Sequence, residues 1–581
     1  MKRLVAFAAI LASVGTLAAQ RVEVHEEILS NGLKLLIVER RESPTVVCGW
    51  VVHVGSVNER PGITGMAHLF EHMMFKGTRA IGIKDYQRGI EIQLRQDEIR
   101  AEMEKEYAEL REKLLRGRIE GSIYDAENMT PRLRELRAEL VELFEEEKQV
   151  IVPTEIDQIY TREGGSSLNA FTTEDQTAYF VNLPSNKLEL WFWLESDRLL
   201  EPVFREFYAE RDVVREERRL RVESTPTGRL DEQFSAMFWQ SAPYSWPVIG
   251  WASDVESITR GQAEEFFDVY YAPNNITAVL VGDVDTREAV ALAERYFGRI
   301  PKGEVDPPPV ITFEVEQLAE RRLIGQADTN PSVTVRFPAT PFNHRDTFAL
   351  QLLSGALSGR TGRLYQALVE EKQVAVGQPG AGLRELKYGG YLQVSAEVKE
   401  ERTHRELEDA LLEELRRLTE EPLSERELQK LKNQELADSF RRLQNNFFLV
   451  IQLLIYDSFG DWRYINEAPG RIQAVTAKEI KQVAGRYLAP EKRNVAWYLR
   501  REGAEPEDPE LAALPEQMRP MVRQQLAAID QETDPEKLEQ GLSRTLQMME
   551  QVPPEVRPAV EYIARKIRER IEALSGSEEE N

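Results

Sequence analysis

The chain is poor in cysteine, in histidine and in basic residues. One cysteine, Cys48, stands among 581 residues, so no disulfide can form within the chain and its fold must rest on core burial alone. Lys and Arg number 74 against 99 Asp and Glu, a formal net charge of −25. That balance argues against a nucleic-acid partner, because phosphate contacts need basic patches. Much of the acid lies in two helical stretches and reads as solvated helix faces, so it names no substrate. Long apolar runs are absent after the N-terminus, which excludes a stable membrane anchor in the mature chain.

The N-terminus itself reads "MKRLVAFAAILASVGTLAAQ". Lys2 and Arg3 precede an apolar run from Leu4 to Leu17, and the small residues Ala18 and Ala19 follow. The pattern predicts a secretory signal peptide over 1–19, too short to span a bilayer comfortably. Cys48 lies outside any lipid-attachment context. A large exported chain without disulfides fits a bacterial periplasm or exterior.

The remaining pattern mixes strands and helices, an α+β class. "LKLLIVER", "TVVCGWVVHVGS" and "ITAVLVGDVD" read as strands, "LNAFTTEDQTAYFVNLP" as a hairpin of strands, and 64–76 as a helix. "KLELWFWLESDRLL", "REFYAERDVVREERRLRVES" and "REAVALAERYF" read as amphipathic helices. "PKGEVDPPPV" is a Pro-rich break, and the linker is placed at 301–315. The order then recurs, with strands "PSVTVRFPAT", "GYLQVSAEV" and "RNVAWYLRR" around a helix at "DTFALQLLSGALSG" and two long helices at 402–419 and 424–445. The parsing is therefore a unit at 20–300, a homologous unit at 316–503 and an acidic helical tail at 504–581. Residues 84–150 interrupt the first unit. Two charged helical stretches there, with a Thr130-Pro131 start signal for the second, predict an antiparallel helical hairpin.

Two of the six histidines fall in "TGMAHLFEHMMFKGT". On a helix His68, Glu71 and His72 share one face. Two imidazoles a turn apart can grip one zinc ion, and the carboxylate beside the second can reach a zinc-bound water. The motif alone fits about equally a pair of solvated or capping histidines. A catalytic zinc needs a third protein ligand. "AERDVVREERR" offers Glu210, Val213, Val214 and Glu217 on one helical stripe, acidic at both ends and apolar between. Glu217 is the expected ligand and Glu210 the carboxylate that orients a ligating histidine. Glu216 falls about 100° around the helix, towards solvent or an arginine.

With these residues in view, the chain resembles the pitrilysin/insulinase family of zinc peptidases, the inverzincins, and within it the bacterial processing-peptidase-like subgroup. "HLFEHMMFKGT", "GGSSLNAFTTEDQTAYF", "LESDRLLEPVFREFYAERDVVREE" and "PVIGWASDVESITRGQAEEFFDVYYAPNNITAVLVGDVD" carry the resemblance, which covers roughly 24–82 and 155–503. It implies two homologous α/β-sandwich units facing each other as a clam shell, with the hairpin and the tail as additions. It implies an exported zinc endopeptidase that hydrolyses unfolded peptides. It implies one Zn2+ per chain, held by His68, His72 and Glu217, with Glu71 as general base. It implies that a peptide adds as an extra strand along Asn169, Ala170 and Phe171.

The hairpin accounts for the long separation of His72 from Glu217. It is expected to project as an arm that meets a partner or covers the chamber mouth, a solvated decoration being the other reading. One departure stands out. The family's substrate-gripping arginine and tyrosine, seven apart in the second unit, are matched by Val369 and Val376; nearby Arg363 and Tyr365 read as ordinary helix residues. The expected working enzyme is therefore a heterodimer whose partner subunit supplies the pair, with a homodimer as runner-up. The alternative from another class is a non-catalytic scaffold or assembly subunit of the same fold.

Overall fold

The computed structural model describes residues 21–502 and, in the tail, 508, 510–511, 514–515, 518–532, 534–549, 552 and 556–578. The expected signal peptide at 1–19 lies outside the described residues, as do parts of the expected tail. No described helix is long and apolar enough to cross a membrane.

Two sheets organise the chain. The first contains β1 (His25–Ile28), β2 (Lys34–Glu39), β3 (Thr45–Val52), β4 (Ser166–Thr172), β5 (Thr177–Pro184) and β6 (Ile276–Gly282), in the order β1-β2-β6-β3-β5-β4. The second contains β7 (Arg321–Ala327), β8 (Ser332–Pro338), β9 (Ala375–Glu385), β10 (Gly390–Val398) and β11 (Asn494–Arg500), in the order β7-β11-β8-β10-β9. With β1 set aside, the two orders are the same. β2 runs parallel to β6 as β7 does to β11, and every other neighbouring pair is antiparallel. The duplication read from element order is a duplication of topology.

The first sheet buries both faces. β3 shows why at sequence level: "TVVCGWVV" is a continuous apolar run rather than an alternation, and seven of its eight residues are buried. One face of the first sheet packs on its own helices through Leu35, Cys48, Trp50 and Leu280. Its other face, through Val47, Val51, Val279 and Val281, is covered by Leu449, Val450, Leu453 and Leu454 of helix Asn446–Phe459, which belongs to the second half of the chain. The reverse exchange also occurs. Phe234 of helix Gly228–Phe238, from the first half, packs on Ala496 and Tyr498 of β11. Each unit thus lends a helix to the other's sheet, and neither core closes alone.

The charged hairpin comprises helices Tyr86–Leu115 and Pro131–Val150. Asp85 and Thr130 cap them by accepting from the N–H groups of Arg88 and Leu133. Arg88–Glu146, Arg95–Glu139 and Arg132–Glu102 cross between the helices, and Ile99, Met103, Tyr107, Leu133, Leu136 and Leu140 make a private core. At 1.5 Å per residue the longer helix measures about 45 Å. Its feet are pinned side by side: Lys84 N–H donates to Val150 O at 2.7 Å and Val152 N–H to Gly82 O at 3.1 Å. In the tail, helices Arg519–Gln531, Pro535–Met549 and Arg557–Glu578 gather round Val522, Ile529, Leu538, Tyr562 and Ile563. Arg519 Nη1 donates to Glu397 on β10 at 2.5 Å.

Some elements differ from the sequence reading. Strands β1, β7 and β9 and helix Asn446–Phe459 were not expected. The amphipathic helix read at 205–224 runs as Phe207–Arg218 and then widens into a π-helical turn, Arg219–Glu223. It starts late because Glu206 takes a left-handed conformation, φ 55°.

Candidate metal centre

Helix Met66–Met73 is held before it presents any chemistry. Met66, Ala67, Leu69, Phe70 and Met73 enter the first core. Glu59, itself buried, accepts from the N–H groups of Gly65 and Ala67 at 2.8 Å each, satisfying two amides at the helix N-terminus. Gly65 has φ 93°, and a Cβ there would lie 2.7 Å from Ile249 O, so only glycine starts this helix without strain. The remaining face carries His68, Glu71 and His72.

Helix Phe207–Arg218 lies opposite and supplies Glu210 and Glu217. Val214 between them is fully buried, but Val213 is 51 % exposed. The stripe is therefore narrower than the sequence reading had it: Val213 falls at its solvent edge, and Phe207, Tyr208 and Val214 anchor the helix in the first core.

The geometry converges on one point. His72 Nε2 is 3.3 Å and His68 Nε2 3.7 Å from Glu217 Oε2, and one donor atom from each of the three lies within 4.8 Å of the others. Ligands held tetrahedrally at about 2.0–2.1 Å from zinc stand roughly 3.3–3.4 Å apart, close to these spacings. Glu217 Oε2 is buried and accepts no hydrogen bond, while Arg221 Nη1 pairs with its other oxygen at 2.8 Å. A buried carboxylate oxygen left unpaired between two imidazoles is costly unless a cation completes it. The residues fit a zinc ion.

Electrostatics prepare them. Burial pulls His68 down to about 4, so it is neutral and able to ligate. Burial also works against the cationic form of His72, but its hydrogen bond to Glu210 and the Glu217 carboxylate 3.3 Å from Nε2 outweigh that and hold it near 9. Metal binding must displace that proton. Burial raises Glu210, yet the bonds from His72 and Lys76 bring it down to about 2. Glu217 is likewise lowered overall, by His72, His68 and Arg221 against burial. Glu71 is raised by burial, the direction a proton acceptor near neutral pH needs.

Behind the three ligands runs a brace that sequence reasoning missed in part. Glu210 Oε1 holds His72 Nδ1 at 2.8 Å, the expected orienting contact, and Lys76 Nζ grips Glu210 Oε2 at 2.5 Å. Lys76 stands four residues after His72, on the turn that follows the helix, and that spacing is the signal that could have found it. Arg205, fully buried, donates to the carbonyls of Lys76, Thr78 and Ile81 and so fixes the turn that leaves the His68 helix. Glu147, on the hairpin and 2 % exposed, accepts from Glu206 N–H and from Gln96 Nε2 at 2.9 Å each, fixing the start of the Glu217 helix. Nothing in the sequence marks Glu147, because its partner is a backbone amide 59 residues away. Glu216 turns outward and pairs with Arg219.

A cavity of about 1010 Å3 opens on His68, Glu71, His72 and Glu217 and continues along Asn169 and Phe171. β4 is the last strand of its sheet, and its outer edge is free of any strand among the described residues. In the second unit Val369 packs against the apolar core, whereas Val376 is 39 % exposed on β9. Arg363 is committed to a two-pronged pair with Glu427 at 2.9 and 2.8 Å. Tyr365 is half-buried in the same π-helical segment as Val369.

Comparison with known proteins agrees with this architecture. The family model described as insulinase (peptidase family M16) matches residues 34–113 and 152–250, leaving out the loop and second helix of the hairpin, and the model described as peptidase M16 inactive domain matches 257–435. A zinc protease of Helicobacter pylori, PqqE, is 26% identical over 475 residues, 80% of this chain and 90% of its own. An uncharacterized zinc protease of Mycobacterium leprae is 32% identical over 218 residues, 36% of this chain and 48% of its own. Among solved structures, a protease from Helicobacter pylori superposes with a TM-score of 0.67 at 22% identity, over 82% of this chain and all of that one. The periplasmic protease PqqL from Escherichia coli gives 0.62 at 17% identity, over 86% of this chain and 51% of that one. The two family models together span more than half of the sequence, and the chain belongs to peptidase family M16, the insulinase family.

Proposed function

We propose that this chain is an exported zinc endopeptidase acting on unfolded peptides, with one Zn2+ held by His68, His72 and Glu217. The observation that carries the reading is the unpaired, buried Glu217 Oε2 aimed between two imidazoles beside a free strand edge. The zinc proteases among its relatives support it. When bound, the metal supplies a Lewis acid that acidifies water and polarises the scissile carbonyl. The chain's own groups do the rest. Glu71, its pKa raised, takes a proton from the attacking water and returns it to the leaving amine. β4 aligns the peptide through main-chain hydrogen bonds. Glu210 and Lys76 hold the His72 ring in place. The N-terminal stretch 1–19, read from its sequence as an export signal, supports a periplasmic site of action, as does the likeness to the periplasmic protease PqqL of Escherichia coli.

The valines at 369 and 376 favour a second component. Neither can donate a hydrogen bond to a developing oxyanion, so a homologous partner subunit bearing the arginine and tyrosine completes the site in trans, a heterodimer. A homodimer with another grip is the runner-up. The same two valines favour the rival reading, a scaffold subunit without turnover.

Glu71→Gln tests the reading. It should retain one zinc per chain by metal analysis and lose about 10²–10⁴-fold in cleavage of a quenched peptide. Near-normal turnover would overturn the mechanism, and a zinc-loaded wild-type chain inert with and without its partner would establish the scaffold. Adding the partner should raise cleavage by about 10²–10³-fold. Full activity from a chain shown by mass to be alone would remove the heterodimer.

A further inference from the structure

Two homologous turns meet at the boundary between the units. In the shared sheet order β4 and β5 correspond to β9 and β10, and each pair is an antiparallel hairpin at the end of its sheet. The turn of the first hairpin, 173–176, grips the turn of the second, 386–389. Asp175, 2 % exposed, stands between them: Oδ2 accepts from Lys387 N–H at 3.0 Å and Oδ1 from Tyr244 O–H at 2.7 Å. Tyr244 Oη in turn accepts from Tyr388 N–H at 3.1 Å. The residues on either side of Asp175 reach across as well. Glu174 pairs with Arg384 of β9 at 2.6 Å, and Gln176 Oε1 accepts from Ser458 Oγ of helix Asn446–Phe459. Lys387 Nζ donates to Ser458 O at 2.9 Å, which joins the second unit's contributions to one another.

The charge states suit these contacts. Burial raises Asp175 to about 6 against the bonds from Lys387 and Tyr244, so at neutral pH it is an ionised acceptor for both. Burial and the Asp175 carboxylate push Tyr244 well up, so it stays a donor. On its other side the same turn is seated against the first unit. Thr173 O and Glu174 O accept from the N–H groups of Ser56 and Val57 at 3.3 and 2.8 Å, and a Cβ at Gly55 would lie 2.4 Å from Thr173 O. That stretch runs on to Glu59, which holds the N-terminus of the His68 helix.

The turn thus links the end of β4, the segment that starts the His68 helix, and the second unit. The units do not need it to stay together, because Lys34 Nζ meets Asp457 Oδ1 at 2.8 Å and the two lent helices join them elsewhere. From this we infer that Asp175 is a positioning residue, through which the second unit holds the end of β4 against the His68 helix and so sets the strand that receives the substrate. The inference rests on the reading of β4 as the strand a substrate joins. It gives the second unit, which carries no zinc motif, a part in the reaction through its 384–388 stretch and Ser458.

The test uses the full mature chain loaded with zinc, together with its partner subunit where the chain alone is inert. Asp175→Asn keeps the shape of the side chain but sets an amide N–H against one of two donors. A loosened strand end loses binding common to the ground and transition states, so KM for a quenched peptide should rise about threefold to tenfold while kcat changes by less than about twofold. Zinc affinity, read by competition with a chelator, should stay at the wild-type value. Arg384→Gln, which removes the exposed partner of Glu174, should raise KM by about twofold to threefold, and Arg384→Lys should restore most of it. A contact that serves only the fold would lower the unfolding midpoint in denaturant and leave KM of the folded chain untouched. An unchanged KM in folded Asp175→Asn and in Arg384→Gln overturns the positioning role and leaves the peptidase reading intact. A loss of zinc affinity that accounts for the rise in KM overturns it as well. If Asp175→Asn does not fold, KM in Arg384→Gln and its rescue by Arg384→Lys decide the matter. A wild-type chain that cleaves no peptide, with zinc and with its partner, overturns the peptidase reading and this inference with it.

Discussion

The two units set a helix at the same point of the shared sheet order, after β3 in the first and β8 in the second, and put it to different use. Met66–Met73 follows β3 and keeps one face polar; Thr347–Leu357 follows β8 and buries Phe348, Ala349, Leu350, Leu352 and Leu353 in the second core. The facing elements differ as well. The second unit does bury carboxylates, but they meet cations and donors: Glu408 takes Arg322 and Trp497 Nε1, and Arg417 lies 3.0 Å from Glu414. In the first unit Glu217 meets two imidazoles and keeps one oxygen free. Glu217 too pairs with an arginine, Arg221, through its other oxygen, so the difference lies in what its second oxygen faces: two imidazoles, the partners that a metal ion would join to it. Topology placed both helices, and the partner of each acid decides which unit has chemistry.

The connection after that helix differs in the same sense. The first unit spends residues 74–165 between helix and edge strand, and the second only 358–374. The extra length is the hairpin, and its foot reaches the metal centre through Glu147.

The sharpest way to break the comparison is to remove the ligands. His68→Ala or Glu217→Ala should weaken zinc binding by more than the roughly 10–100-fold that loss of an orienting group costs, read by competition with a chromogenic chelator. The matching cut in the second unit, Leu353→Ala, should lower stability by about 2–5 kcal/mol in denaturant unfolding and leave zinc affinity where it was. If Leu353→Ala stripped the metal, or Glu217→Ala kept it, the functional asymmetry of the units would be gone.

Much of this was legible because the relevant patterns are local. The zinc helix, its i, i+3, i+4 face and the Glu210/Glu217 spacing all sit within single helices, where geometry follows from the 3.6-residue repeat. The hairpin was legible for the same reason, with Thr130 and Pro131 marking its second start. Strand β7 was not, because "RRLIGQA" exposes half of its residues on a sheet edge and has no strong apolar alternation. Helix Asn446–Phe459 was missed because its apolar run "FFLVIQLLIY" serves the other unit's sheet, a destination no local period reveals. Val213 misled because the helix turns Phe207, Tyr208, Arg211 and Val214 inward, which leaves position 213 at the solvent edge. Glu147 and Arg205 bind backbone atoms, and such contacts leave no signature in residue type.

A smaller effect sharpens the role of the hairpin. Lys76→Met removes the cation that holds Glu210, and Glu147→Gln weakens the fixing of the Glu206 amide. Both should lower zinc affinity by about tenfold or less without abolishing binding. Truncating the hairpin at its far end, with 84–97 and 146–150 retained, keeps Gln96, Glu147 and the pinned feet and should leave zinc affinity unchanged. Replacing all of 84–150 by a short Gly/Ser linker removes Glu147 and should reproduce its loss. Equal affinities for the two truncations would show that the foot does not position the metal ligands.

The smallest expected effect is the most discriminating at residue level. Glu216 and Glu217 are neighbours, and both are carboxylates on helix Phe207–Arg218. Their surroundings differ by one step of helical rotation, about 100°. Glu217 turns inward to His68 and His72, whereas Glu216 turns out and is held by Arg219 on the exposed surface. An exposed pair of this kind contributes little to stability, typically about 0–1 kcal/mol, and less at higher salt. Glu216→Gln should therefore leave zinc affinity, turnover and unfolding within measurement error of the wild type, while Glu217→Gln loses the metal. Should Glu216→Gln release zinc and Glu217→Gln retain it, the helix would be rotated by one residue from the arrangement described, and Glu210 could no longer be the carboxylate behind His72.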